Sequence, residues 1–319
     1  MAASVSSDSF YFSCSACGQC CDSAPQLSVP ELFHHQRRFI GCLSLRRVKR
    51  VRAGQPFLDG TLASSDDEAA ARALSERLFS TPPEGFDDEL FLFTRAFSYA
   101  SSSACPALGS DRRCGVHDDR KPGVCRVVPL EASLPDTLQR VVLGVRGRER
   151  RYAEASCITA WPAEGAREVT RRLKVVDQES STALERRRAD LSAEREHWGS
   201  DVLRLLSPEL FRDPELWARL PEDGHFTLAL VPVLTVLAGT SPRCRVRVIE
   251  YLHAQSELIQ ETLLDALRRR NEADRGDTEQ LRSFLRANDA FAHVVERAPP
   301  KSWSASAARA ERIETWLGC

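Results

Sequence analysis

Eight of the chain's 11 cysteines fall into two groups whose spacing suits metal ligation. Cys14, Cys17, Cys20 and Cys21 form a C-x-x-C-x-x-C-C run near the start, and Cys105, Cys114, Cys125 and Cys157 answer it from further along. A free cysteine behaves as a small hydrophobe, and cores bury it singly. Paired spacing, then doubling, is more than packing requires. A C-x-x-C turn carries both Cβ vectors to one side, so both sulfurs reach one metal. A tetrahedral zinc ion takes four thiolates, and a [4Fe-4S] cluster also takes four. Eight thiols therefore suggest two sites, or one site plus thiols held for redox work. Neighbouring side chains diverge in most backbone conformations. One of Cys20 and Cys21 is thus expected to join Cys14 and Cys17 while the other turns towards the second group.

Soft thiolate ligands suit zinc and iron alike, so ligand type leaves the metal open between them. Four thiolates leave a charge of about −2 on zinc(II) or on an oxidised cluster. Arg112, Arg113, Arg120 and Arg126 stand beside the cysteines and are candidates to offset it. His117, three residues after Cys114, is an alternate ligand candidate. His34 and His35 are adjacent on an expected helix and are not expected to share a face. Asp118-Asp119 and Asp87-Asp88-Glu89 read as solvated turns. Cys42, Cys244 and Cys319 fall outside the spacing; Cys244 is expected to pack and Cys319 to be a free terminal thiol. No G-x-S-x-G, P-loop, G-x-G-x-x-G or H-E-x-x-H occurs, so the common hydrolase, nucleotide and zincin signatures are missing.

The elements that must position these thiols are short. Phe10-Tyr11-Phe12-Ser13 reads as an extended lead-in to the first group. Ser28, with Pro30 and Glu31 after it, is a helix start, and the helix is expected to run to about Ile40. Arg46 to Arg52, five charges in seven residues, reads as an edge strand with one solvated face. Ser64 to Phe79 has helical spacing, and Pro82-Pro83-Glu84-Gly85 breaks it. Leu90 to Phe97 is β-prone and leads towards Cys105, and Leu138 to Gly144 reads as a further strand with Arg148 to Arg151 on the turn after it. From Glu164 to about Leu206 apolar residues recur at helical spacing (Val169, Leu173 and Val176, then Leu184, Leu191 and Trp198), and Glu185 to Arg195 reads as a surface helix. Helices are then expected over Phe226 to Leu237, Cys244 to Arg269, Asp277 to Ala298 and Ala307 to Leu317. Pro208, Pro214, Pro221, the Asp274–Asp277 run and Pro299-Pro300 serve as punctuation. The expectation is an α+β, mostly helical protein: a small metal-organised cysteine domain of strands and loops over residues 1–163, then an all-α domain over residues 164–319.

Composition bounds the function. The chain has 319 residues, 42% hydrophobic and 28% charged, with 44 basic against 45 acidic residues. That describes an ordinary globular protein without a basic lobe, so nucleic acid is not an expected partner. Met1 to Ser9 has neither a basic nor an apolar region of a secretory signal. No stretch approaches the roughly 18 apolar residues of a membrane helix, the richest being Phe226 to Ala238. A cytoplasmic protein is expected, in which thiols stay reduced and an odd cysteine count fits metal sites better than a disulfide framework.

The motif residues Phe12-Ser13-Cys14-x-x-Cys17-Gly18-x-Cys20-Cys21, Leu27-Ser28-x-x-Glu31, Cys105-Pro106-x-Leu108, Cys114-x-Val116-His117 and Pro122-x-x-Cys125-Arg126-x-x-Pro129 resemble the YkgJ-type cysteine-cluster family. The resemblance covers about residues 10–160 and implies a zinc- or iron-chelating domain in which the eight cysteines, Cys157 included, are the ligands. The chain departs from the family pattern in three places. His117 stands where an aromatic is usual, Lys121 lengthens the Cys114–Cys125 loop by one, and the Cys21–Cys105 gap is long. A more distant similarity is to flagellin lysine N-methylase, which shares a clustered N-terminal cysteine motif and a Cys-Pro-x-Leu segment. Two expectations follow. The first is a metal-binding protein, structural or electron-carrying, with zinc or an iron–sulfur centre and a helical half free to meet a protein partner. The second is a protein-modifying or redox enzyme that uses a cluster.

Overall fold

The strands form two small antiparallel sheets. In the first, β1 (Ser9–Phe12) lies between β4 (Ile158–Thr159) and β5 (Arg167–Arg171), and β6 (Lys174–Val175) extends β5. In the second, β2 (Gly41–Val48) is central, flanked by β3 (Glu89–Ala96) and β7 (Phe226–Ala229), so that Cys42 faces Arg95 on one side and Ala229 on the other. The computed structural model describes residues 9–83, 86–102, 104–212, 214–222, 224–297 and 305–319. Met1–Asp8, Glu84-Gly85 and Pro299-Pro300, with what the sequence suggests for them, lie outside the described residues.

Helices make up the rest. The N-terminal part holds α1 (Val29–His34), α2 (Ser65–Leu78), α3 (Gly123–Val127), α4 (Gln139–Arg146) and α5 (Arg150–Ala155). Further on, α6 (Gln178–Glu194) passes through a π turn at Arg195–Gly199 into α7 (Ser200–Leu210). Next come α8 (Pro214–Arg219), α9 (Val231–Ala238), α10 (Pro242–Arg269), α11 (Arg275–Arg297) and α12 (Ala307–Leu317). The protein is α+β and mostly helical. Among the described residues no helix is long and apolar enough to cross a membrane.

Local chemistry explains several of the ends. Glu31 Oε2 accepts from the Ser28 N–H at 2.7 Å, and Ser28, Pro30 and Glu31 open α1 as a capping box does. The Ser64 hydroxyl accepts from the Asp67 N–H and starts α2. Pro232 lies in the first turn of α9, where its missing N–H costs nothing.

The cores do not respect a boundary near residue 163. The largest joins Leu27, Val29 and Leu32 to Leu252 of α10 and Ile313 of α12, and Phe33 of α1 stacks on Tyr251 with ring centroids 4.3 Å apart. A second joins Phe12, Phe91 and Leu143 to Val169 and Leu191. Strands β5, β6 and β7 come from the half expected to be all helical, and two of them complete sheets begun by the first half.

Several expectations are corrected in detail. Helix α1 ends at His34, not near Ile40, because the backbone leaves helical geometry at His35. Arg46 and Arg47 lie in a central strand, not an edge. The basic run there is met by carboxylates: Arg47 reaches Asp88 at 2.9 Å and Glu222 at 3.2 Å, and Lys49 reaches Glu222 at 2.6 Å. Leu138 to Gly144 is helix, and Arg150 and Arg151 begin another. Residues 167–175 are a hairpin that turns through Arg172 at φ +55°, a left-handed conformation. Phe226–Ala229 is a strand. Pro208 lies inside α7, Pro214 opens α8, and α11 begins at Arg275, within the expected turn.

Candidate metal centre

Strand pairing brings the first and last motif cysteines together. Phe12 pairs with Ile158, and the Ser13 N–H donates to the Cys157 carbonyl at 3.0 Å. Cys14 and Cys157 therefore leave the first sheet at the same end. The loop that follows Cys14 turns at Gly18, whose φ of +71° favours glycine. A Cβ there would stand 2.6 Å from the Arg112 carbonyl and 3.0 Å from Leu108. That close approach seats the C-x-x-C loop on the Cys105–Cys114 segment.

This second segment is a tight hairpin. Leu108 and Cys114 form an antiparallel bridge, and the Gly115 N–H donates to the Ala107 carbonyl at 2.7 Å. It is tied to the first group directly: the Cys105 N–H donates to the Cys21 carbonyl at 2.8 Å. The Ala107 N–H donates to Cys105 Sγ at 3.4 Å. Cys125 lies on α3, which is pinned to α1 because Glu31 Oε1 accepts from the Gly123 N–H at 2.6 Å. Cys157 is buried, Cys14 and Cys20 are exposed, and the remaining five motif thiols are half-buried. All eight are free thiols.

The electrostatics sort them into two connected sets. Cys20 and Cys21 hydrogen-bond to each other, which pulls Cys20 down to about 6, with Lys121 and Arg151 helping against burial. The same bond pushes Cys21 up, and burial, Cys105 and Cys125 push it further. Burial drives Cys125 up to about 12, with Cys105 and Cys114 adding to it. Burial also raises Cys157, which feels Cys17, Cys14 and Cys20 in turn. Cys14, Cys17 and Cys20 thus act on Cys157, Cys20, Cys105 and Cys125 act on Cys21, and Cys105 and Cys114 act on Cys125. Like groups this crowded resist ionising together unless a cation compensates them. No three of the sulfurs lie within 4.8 Å of one another.

The cationic side chains that act on the thiols are not the arginines singled out by sequence. Arg112, Arg113, Arg120 and Arg126 are exposed, as is His117. Lys121 acts on Cys20 and Cys125, Arg38 on Cys105, and Arg151 on Cys20. Arg151 is held in place by both oxygens of Asp22, at 2.8 and 2.7 Å, which fastens α5 to the residue after Cys21. Lys121 had a sequence signal, being the extra residue of its loop. Arg38 and Arg151 had none, because each is brought in from an element remote in the chain. Cys42 and Cys244 are buried apart from the cluster, and the Cys319 thiol hydrogen-bonds Cys244.

His34 and His35 also depart from expectation. Their rings meet edge-on with centroids 4.6 Å apart, and with Asp119 they are the only group of three ligating side chains, among the described residues, whose atoms lie within 4.8 Å. Comparison with known proteins adds no relative: no protein-family model, curated protein or solved structure matches the chain.

Proposed function

We propose that the protein is a metal-binding protein whose eight motif thiols hold zinc or an iron–sulfur centre in a structural or electron-carrying role. The observation that carries this reading is the backbone contact between the segments bearing the eight thiols, Ser13 N–H donating to the Cys157 carbonyl at 3.0 Å and Cys105 N–H to the Cys21 carbonyl at 2.8 Å. From it two candidate sets are drawn: Cys14, Cys17, Cys20 and Cys157, and Cys21, Cys105, Cys114 and Cys125. Each set has the donor number and the soft chemistry that zinc or a [4Fe-4S] cluster takes. The Cys21, Cys105, Cys125 and Cys157 thiols, raised by burial and by neighbouring thiols, gain most from a cation that draws off their protons. Lys121, Arg38 and Arg151 supply part of the compensating charge. A site filled by four thiolates has no open position, which favours a structural or electron-transfer role over substrate chemistry at the metal.

The test is anaerobic purification followed by a visible spectrum and elemental analysis on one sample. Iron, sulfide and broad absorption near ~400 nm mean a cluster; a colourless protein with bound zinc means closed structural sites. Cys17→Ser and Cys125→Ser each lose bound metal, whereas Cys244→Ser keeps it. Equal metal content in the three variants sinks the ligand assignment, as does a wild-type protein carrying neither zinc nor iron.

A further inference from the structure

We infer that His34, His35 and Asp119 form a second, separate cation site that takes a divalent first-row transition metal such as zinc or cobalt. Two imidazoles and one carboxylate are ligands that such ions accept, and three protein ligands leave further positions to solvent. The site is built by three local features. Helix α1 presents His34 from its last turn. At His35 the backbone turns out of the helix, so the second imidazole swings to the same side as the first rather than a third of a turn away. The loop between Cys114 and Cys125 then brings Asp119 up to both.

An ordinary surface pair does not account for this arrangement. His34 Nε2 and Asp119 Oδ1 are 3.0 Å apart, with the two side chains 31% and 68% exposed. Such an exposed pair is worth about 0–1 kcal/mol and needs no second histidine. Yet His35, only 6% exposed, is fixed there on two sides. Its ring lies edge-on to Phe39 at 5.8 Å, and its Nε2 lies 3.2 Å from the Arg120 carbonyl. A carbonyl only accepts, so Nε2 carries the proton and, in the neutral ring, Nδ1 holds the lone pair. A histidine that donates its other ring N–H to a backbone carbonyl is the usual supporting arrangement around a metal-bound imidazole. On His34 the cation takes Nε2 and the Asp119 carboxylate oxygen together, and the single ring proton of the neutral imidazole moves to Nδ1. Ligands of one tetrahedral ion stand about 3.3 Å apart. The atoms, now within 4.8 Å, close that gap by side-chain rotation of the two exposed partners.

The site is independent of the thiols in chemistry, and cobalt(II) tells the two apart. Purified full-length protein with its thiol centres filled is passed over a chelating resin that strips weakly held metal from the solvent-open site, then titrated with cobalt(II) while its spectrum and bound cobalt are followed. The expected result is one further equivalent of cobalt with weak visible bands and no intense sulfur-to-cobalt absorption in the near ultraviolet. His34→Ala and Asp119→Ala, both at exposed positions that leave the cores untouched, weaken that uptake at least tenfold without changing the zinc content. The inference is overturned if the resin-treated protein takes up no cobalt, if the added cobalt shows the sulfur absorption, or if both variants bind it as the wild type does. Failure of the thiol reading looks different: the resin-treated protein carries neither zinc nor iron, while the weakly coloured cobalt equivalent persists.

Discussion

Gly18→Ala tests whether the metal centre depends on the seating of one thiol loop on the other. Two costs are separable. A side chain at φ +71° carries a backbone penalty of about 1–2 kcal/mol. In addition, the new Cβ would lie 2.6 Å from the Arg112 carbonyl, and reaching a resting separation of ~3.5 Å pushes the two loops apart by about 0.9 Å. A backbone carbonyl cannot swing away as a side-chain end does, so the displacement passes to the hairpin carrying Cys105 and Cys114. Metal–sulfur bonds of about 2.3 Å tolerate errors of only ~0.2 Å, so a shift of this size breaks the shared geometry. Gly54→Ala is the control, since Gly54 has φ +81° but nothing within 4 Å of its added Cβ. Both variants are expected to lose about 1–2 kcal/mol in urea unfolding of metal-free protein, with Gly18→Ala losing more. Only Gly18→Ala is expected to lose bound metal, read by elemental analysis after gel filtration. Wild-type metal content in Gly18→Ala, or equal loss in Gly54→Ala, would falsify the view that loop seating builds the centre.

Three further outcomes follow from the structure. Gln255 of α10 is buried and makes three bonds to the segment after α1: its Nε2 donates to Gln36 and Phe39 carbonyls at 2.6 and 3.0 Å, and its Oε1 accepts from Gly41 at 2.8 Å. Gln255→Leu strands those backbone groups and is expected to cost about 3 kcal/mol or more in urea unfolding; a loss below about 1 kcal/mol refutes the tether. The Glu194 carboxyl, buried between the Val29 N–H, Thr94 and the Arg187 side, is pushed up to about 8 by burial, with Arg187 opposing and Glu31 adding. Folded protein therefore holds a proton there that the unfolded chain releases near pH ~4.3. Its stabilising contribution is full below that pH and is lost as pH rises to about 8, at up to about 1.4 kcal/mol per pH unit. Glu194→Gln is expected to flatten that fall, and an unchanged slope of stability against pH argues against the buried protonated acid. Chelator treatment under reducing conditions is expected to expose the segments around residues 13–28 and 105–125 to limited proteolysis before α10 is cut; simultaneous cleavage throughout contradicts local organisation by the metal.

The sequence exposed the chemistry more readily than the architecture that holds it. Cysteine spacing is a local pattern, and the fold ties some of the segments that carry it, through Ser13 to Cys157 and Cys105 to Cys21. Helices α2, α10 and α12 were equally legible, since Ser64 and helical spacing mark the first, and long amphipathic runs mark the others. The failures were of two physical kinds. Val169, Leu173 and Val176 lie at helical spacing, but Val169 is fully buried while Leu173 and Val176 are each 42% exposed, so no common face exists and the segment is a hairpin. Its turn is made by Arg172 rather than by glycine or asparagine, which hides it. Conversely the Val-rich run at Leu138–Gly144 looks β-prone, yet Gln139 fastens it as helix by donating from Nε2 to Glu131 and Leu134 carbonyls at 2.8 and 2.9 Å. Remote pairings such as β2 with β7, and the placing of Arg38 and Arg151 at the thiols, leave no local trace in the chain. Adjacent histidines were expected to diverge because a helix was assumed to continue through both; the backbone turn at His35 is what changes that.

The pairing of β2 with β7 also sets an order of events during synthesis. Cys42 faces Ala229, so a chain emerging from the ribosome at about 5–20 residues per second holds β2 without its partner for about ten seconds or longer. All eight motif thiols are made before that interval ends, Cys157 being the last. On the proposed ligand set, metal would meet all eight thiols before the second sheet can close. A cell short of zinc or iron would then accumulate nascent chains with an open sheet edge and a reduced, unfilled thiol cluster, the state most exposed to aggregation and to proteases.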